Sequence, residues 1–88
     1  MKIKEGFILK PVADSFIIVP VANEFVDLSA MITVNETGAF LWELLSEEVS
    51  EETLISKMKE EYDAPEDVIK SDVEDFLENL RKNGMLIE

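Results

Sequence analysis

The chain has 88 residues, 47% of them hydrophobic and 32% charged, with a net charge of −12, which suits one globular domain sharing a single core. It contains neither cysteine nor histidine, so disulfides, thiol nucleophiles, ordinary zinc sites and the commonest general base are all excluded. The negative field repels nucleic-acid phosphates and anionic lipids, which disfavours nucleic-acid and membrane roles.

The charge is unevenly spread. Residues 1–34 set Lys2, Lys4 and Lys10 against Glu5, Asp14, Glu24 and Asp27, a net of −1, so −11 falls on residues 35–88. No apolar run approaches the roughly 18 residues of a membrane span, and Met1-Lys2-Ile3-Lys4-Glu5 leads into strand pattern rather than a signal-peptide core. There is no glycine-rich phosphate loop. The expectation is one cytoplasmic domain over residues 1–88, with no catalytic residue, no metal site and no cofactor.

Phe7 to Val12 and Ser15 to Val21 read as two strands joined at Ala13-Asp14, a short hairpin signal. Phe16-Ile17-Ile18-Val19 is apolar on both faces, which makes the second run the middle strand. Pro11 cannot donate to a ladder, and Lys4 and Lys10 flank the first run, so that edge is guarded against further pairing. After Pro20 and Ala22-Asn23-Glu24 comes Phe25-Val26-Asp27-Leu28, which either pairs as its own strand or leads into Met31-Ile32-Thr33-Val34. The latter run has neither proline nor lysine. Its edge is undefended, and such an edge is covered by the protein itself, by a second subunit or by a docked peptide strand.

At Asn35 the period changes from two to about 3.6, so a strand passes directly into a helix. Asn35 can accept from the free amides of the first turn, and Glu36 complements the positive helix end. Phe40, Leu41, Leu44 and Leu45 form one apolar stripe while Trp42 projects roughly 100° beyond Leu41, which places the helix centrally, between the sheet and the later helices. Gly38 costs about 1 kcal/mol relative to alanine inside a helix; with Ala39 it points to close backbone packing.

Ser50 caps a second helix, with Val49 and Leu54 at the positions of a hydrophobic staple and Leu54, Ile55, Met58 and Tyr62 as its stripe. Pro65 suits the first position of a third helix, which buries Ile69, Val73, Phe76, Leu77 and Leu80 and ends at Gly84 in the left-handed region. Met85-Leu86-Ile87 are expected to tuck against the core. Asp72, Glu74, Asp75 and Glu78 on this helix read as a solvated face rather than a calcium site, because the glycine-centred loop of an EF-hand is missing.

Met31 to Leu45 (Met-Ile-Thr-Val-Asn-Glu-Thr-Gly-Ala-Phe-Leu-Trp-Glu-Leu-Leu), followed by Glu61-Tyr62-Asp63 and by Asp72-Val73 with Phe76-Leu77, Leu80 and Gly84, resembles the PqqD-like family. These are the coenzyme PQQ synthesis protein D domains, also called RiPP recognition elements, and the likeness runs from about Phe7 to the C-terminus. It implies an α+β fold similar to a winged helix-turn-helix: a three-stranded antiparallel sheet, four-stranded if 25–28 pairs by itself, followed by three helices. It also implies a function, that of a stand-alone adaptor which binds the leader segment of a ribosomally made precursor peptide and presents it to a modifying enzyme, often a radical SAM enzyme. In the family the leader adds to the third strand and lies against the third helix. Carried over by position, this implies a peptide-binding set of Met31, Ile32, Thr33 and Val34 on the strand and Val68, Asp72, Asp75, Phe76 and Asn79 on the helix. One departure is the segment Asn23 to Ala30, longer than the family's usual link between second and third strands. Two rivals remain: a structural subunit whose edge is paired in a homodimer, and a DNA-binding winged helix. The latter needs a basic helix face, whereas Lys70, Arg81 and Lys82 here stand against Glu66, Asp67, Asp72, Glu74, Asp75 and Glu78.

Overall fold

The computed structural model describes residues 1–22, 25–26 and 32–88, with backbone alone at 22, 25 and 26. Strands β2 (Phe7–Val12) and β3 (Ser15–Ala22) form the expected hairpin, in register from Phe7 opposite Pro20 to Val12 opposite Ser15. Ala13 in its two-residue loop has φ 52°. β3 is the middle strand. Its other side carries β5 (Ile32–Val34), with Phe16 opposite Val34 and Ile18 opposite Ile32, and at its end β4 (Phe25–Val26) pairs through Val21 opposite Val26. The main sheet is therefore three antiparallel strands in the order β2-β3-β5, with β4 as a short addition. Residues 25–26 do pair in their own right; the rest of that segment lies outside the described residues.

Pleating gives each strand one core face. Phe7, Leu9, Phe16, Ile18, Ile32 and Val34 alternate along their strands and all join the central cluster. On that face sits α1 (Glu36–Leu44), which packs against β3 and β5 on one side and α2 (Glu51–Glu61) on another. The double-sided apolar surface of α1 makes this placement necessary: Leu41, Trp42 and Leu45 are buried in one cluster with Leu54 and Met58 of α2 and Ile69, Val73, Phe76, Leu77 and Leu80 of α3 (Glu66–Lys82).

The helix ends follow local chemistry. Ser50 Oγ accepts from the Thr53 amide at 3.1 Å. Pro65 stands at the N-cap of α3, one residue ahead of the first helical position expected for it; with φ −59° and ψ 146° it precedes the first turn, and its carbonyl accepts from the Val68 and Ile69 amides. Gly84 (φ 67°) ends α3 as a Schellman turn, in which the Met85 amide donates to Leu80 O and the Gly84 amide to Arg81 O.

A second, two-stranded sheet has no counterpart in the sequence reading. β1 (Lys2–Ile3) pairs antiparallel with β6 (Leu86–Ile87). The Ile3 amide also donates to Leu45 O at 2.9 Å and the Lys4 amide to Met85 O at 2.8 Å. Met85 is buried, as expected of a tucked tail, but the residues after it form a ladder. No helix among the described residues is long and apolar enough to cross a membrane.

Candidate functional site

Asn35 sets the geometry at the end of β5. Its Oδ1 accepts from the Gly38 amide at 2.9 Å and from the Thr37 hydroxyl at 2.8 Å, so the chain leaves the sheet and enters α1 within one residue. That sharp entry leaves a groove of about 310 Å³ between the β5–α1 junction and the middle of α3. Val34, Gly38, Leu41 and Phe76 supply apolar surface to it, and Thr33, Asn35 and Thr37 the polar rim on one side. The opposite rim is α3, which presents Asp72, Asp75 and Asn79 at helical spacing beside Phe76.

Gly38 keeps the groove open. A Cβ there would come to 3.1 Å from Val34 Cβ and 3.2 Å from Phe76 Cε1, so the helix and the aromatic ring approach as closely as they do only because the side chain is missing. Gly38 is thus a packing glycine, as its position beside Ala39 predicts.

The groove also meets a free strand edge. β5 pairs with β3 on one side, and among the described residues no strand pairs with its other side. Unsatisfied amides and carbonyls on such an edge are a template for another extended chain. Neither Asp72 nor Asp75 takes part in any ion pair among the described residues.

Of the residues named from the sequence, Thr33, Val34, Asp72, Asp75, Phe76 and Asn79 come together in this groove. Ile32 does not line it; its side chain is half-buried against the core. Val68 also falls outside, 45% exposed one turn before Asp72, and Met31 lies outside the described residues. Asn35, Thr37, Gly38 and Leu41 line the groove without having been named for it. The cap, glycine and core roles of Asn35, Gly38 and Leu41 account for those three so fully that only their adjacency to β5 signals a second role.

A second hollow of about 200 Å³ lies on another side of α1, with Phe16, Phe40 and Tyr62 among Glu36, Glu43 and Glu61. Phe40 and Tyr62 meet edge to face, ring centroids 5.7 Å apart. Partial burial raises the Tyr62 hydroxyl above its ordinary pKa, and the Glu36 and Glu61 carboxylates raise it further. The residues around this hollow include none from β5, so it lacks the strand edge that distinguishes the groove.

The sequence profile of Coenzyme PQQ synthesis protein D (PqqD) matches residues 15–86. A comparison with curated proteins finds no match. Among solved structures, the fold is similar to TbiB1 in complex with the TbiA(beta) leader peptide, with TM-score 0.73, 21% identity, and 98% of this chain and 94% of that one covered. It is also similar to lasso peptide synthetase B1 complexed with the leader peptide, with TM-score 0.71, 14% identity, and 99% and 96% covered.

Proposed function

The chain belongs to the PqqD family, and from that membership and the groove we propose that it is a non-catalytic adaptor which binds the leader segment of a precursor peptide and presents it to a modifying enzyme. The observation that carries this reading is an edge of β5 that no strand among the described residues pairs with, bordering a groove whose far wall is α3. An extended segment adds to that edge through backbone hydrogen bonds, which give affinity tolerant of sequence, while side chains pointing towards α3 enter the groove and are selected there. The two structurally similar proteins are both complexed with leader peptides, which supports the same occupant here. For the enzyme served, the family resemblance favours a radical SAM enzyme. Binding without chemistry accords with a chain that has no histidine or cysteine and whose groove carboxylates stand on a rim rather than around a buried reacting centre.

The test is a pair of proline variants on β5. Neighbouring strand amides point to opposite edges, so of Thr33→Pro and Ile32→Pro one removes a donor from the free edge and the other a donor from the ladder with β3. One variant should keep its melting temperature and lose binding of fluorescent leader peptides taken from short reading frames beside the gene; the other should lose stability. If both fold normally and bind with unchanged affinity, β5 is not the docking edge. A homodimer paired through the same edge is the competing occupant. It would appear in sedimentation as a dimer that the binding-deficient proline converts to monomer.

A further inference from the structure

The two walls of the groove carry more information than a general capacity for peptides, and the inference drawn from them rests on the reading of the groove as a strand-docking site. The β5 edge offers backbone hydrogen bonds and is to that extent indifferent to sequence. The α3 wall is not. It presents Asp72 and Asp75, both exposed and three residues apart on one face, without a cation on either among the described residues. Like charges at this spacing repel. Two cations of α3 are occupied or turned elsewhere: Arg81 bridges Glu78 and Glu88, and Lys70 lies with Lys59 and Glu66 in the gap towards α2. Lys82 stands a turn past Asn79, about 15 Å along the axis from Asp72 by helical rise, beyond the screening length of about 10 Å at 0.1 M salt. The negative end of the stripe is therefore well separated from the positive one.

Apolar surface follows the acids. Phe76, one turn after Asp72, and Leu41 of α1 line the groove. Four residues of helix advance about 6 Å, and alternate residues of a strand, which share one face, advance about 6.7 Å. For a strand on β5 that runs along the axis of α3, each two residues then advance nearly one helical turn. A side chain level with Asp72 is then followed, two positions away, by one level with Phe76, which lines the groove with Leu41.

We propose that the segment this groove recognises carries a lysine or arginine two residues from an apolar residue, the cation seated against Asp72 and Asp75 and the apolar side chain on Phe76 and Leu41. The odd residue between them faces away from α3 and is free to vary. Addition parallel or antiparallel to β5 changes which of the pair comes first in the peptide, but not their spacing.

The experiment uses end-blocked, β-prone peptides that differ only at these positions: Lys-x-Leu, Gln-x-Leu, Glu-x-Leu and Lys-x-x-Leu. Binding is followed by backbone amide shifts at low salt. The Lys-x-Leu peptide should bind about two to five times more tightly than Gln-x-Leu, and about tenfold more tightly than Glu-x-Leu, the range open to a partly solvated charge pair and its reversal. Lys-x-x-Leu, which puts its two side chains on opposite faces, should fall to the level of Gln-x-Leu. In the variant with Asp72→Asn and Asp75→Asn, the ratio of Lys-x-Leu to Gln-x-Leu affinity should fall to about one, with an unchanged melting temperature and amide spectrum reporting that the fold is intact. If peptides shift the amides of β5 but all four bind alike, the recognition rule is wrong and the docking site stands. If none of them, nor any leader peptide, shifts those amides, the docking site falls as well.

Discussion

Gly38 and Asn35 show how much a single position does at the head of α1. The Asn35 side chain closes the first turn, and the missing Cβ of Gly38 lets Val34 and Phe76 close in around it. Gly38→Ala would gain about 1 kcal/mol of helix propensity. That gain is opposed by overpacking, which costs about 1–3 kcal/mol in a filled site. Val34 Cβ at 3.1 Å is rooted in the backbone and cannot swing aside, so overpacking should win. The expected net loss is up to about 2 kcal/mol in urea denaturation, with weaker peptide binding because the new methyl enters the groove. A variant more stable than the parent would show that Phe76 and Val34 have room to move. Both roles were legible in part: the strand-to-helix switch points to Asn35 as cap and Gly38 as packing glycine, but only the tertiary fold brings Phe76 to the same spot from thirty-eight residues away in sequence.

At the scale of elements, the hairpin and α3 were read from pattern because each is specified locally. The β2–β3 turn contains a residue at odds with its backbone: Ala13 has φ 52°, a region that disfavours a side chain by about 1–2 kcal/mol. Replacing it with glycine removes that strain and adds about 0.4–1 kcal/mol of unfolded-state entropy loss. Ala13→Gly should therefore stabilise the domain by a few tenths to about 1 kcal/mol, seen as a raised melting temperature with an unchanged denaturant slope. A lower melting temperature would mean that the loop is not strained. The pair β1–β6 escaped sequence reading for the opposite reason. Each strand has two residues, too few for any period, and their partnership depends on the whole chain bringing residue 2 beside residue 87.

Across the whole molecule, one cluster joins sheet and helices, and Trp42 of α1 is part of it. With 9% of its surface exposed, Trp42→Ala should cost about 3–5 kcal/mol, a large part of the 5–15 or so that holds a small domain. Binding would then be lost through unfolding, and excess peptide should restore it in proportion to affinity. The C-terminal sheet is tied down electrostatically as well: Arg81 donates to both oxygens of Glu88, at 3.0 and 2.8 Å. Hydrogen bonding to Arg81, with a smaller charge contribution, lowers the Glu88 carboxyl below its ordinary 4.5. A carboxyl lowered by folding contributes stability that is full above the unfolded value and fades as pH falls through the folded one. The melting temperatures of the parent and of Glu88→Gln should therefore differ near neutrality, modestly for so exposed a pair, and converge in acid. A constant difference across that range would assign the effect of Glu88 to something other than its charge.

What the sequence determined by itself was everything encoded within a few residues: the alternation of β2 and β3, the Asn35 and Ser50 caps, the Gly84 stop, the apolar stripes and the guarded edge at Pro11. These depend on backbone geometry and solvent exposure that neighbouring residues fix among themselves. The α+β order of sheet and helices follows from them. Tertiary structure decided what depends on distant residues meeting: the β1–β6 ladder, the seating of Phe76 over Gly38, and the groove itself. The family resemblance groups Thr33 with Asp72, but no local pattern does: the two meet only because the packing of α1 against β3, β5 and α2 fixes where α3 lies. Val68 shows the limit most plainly. It shares the helical line of Asp72 and Phe76, yet the groove closes one turn before it, because a helix stripe sets direction while the length of a site is set by what lies opposite.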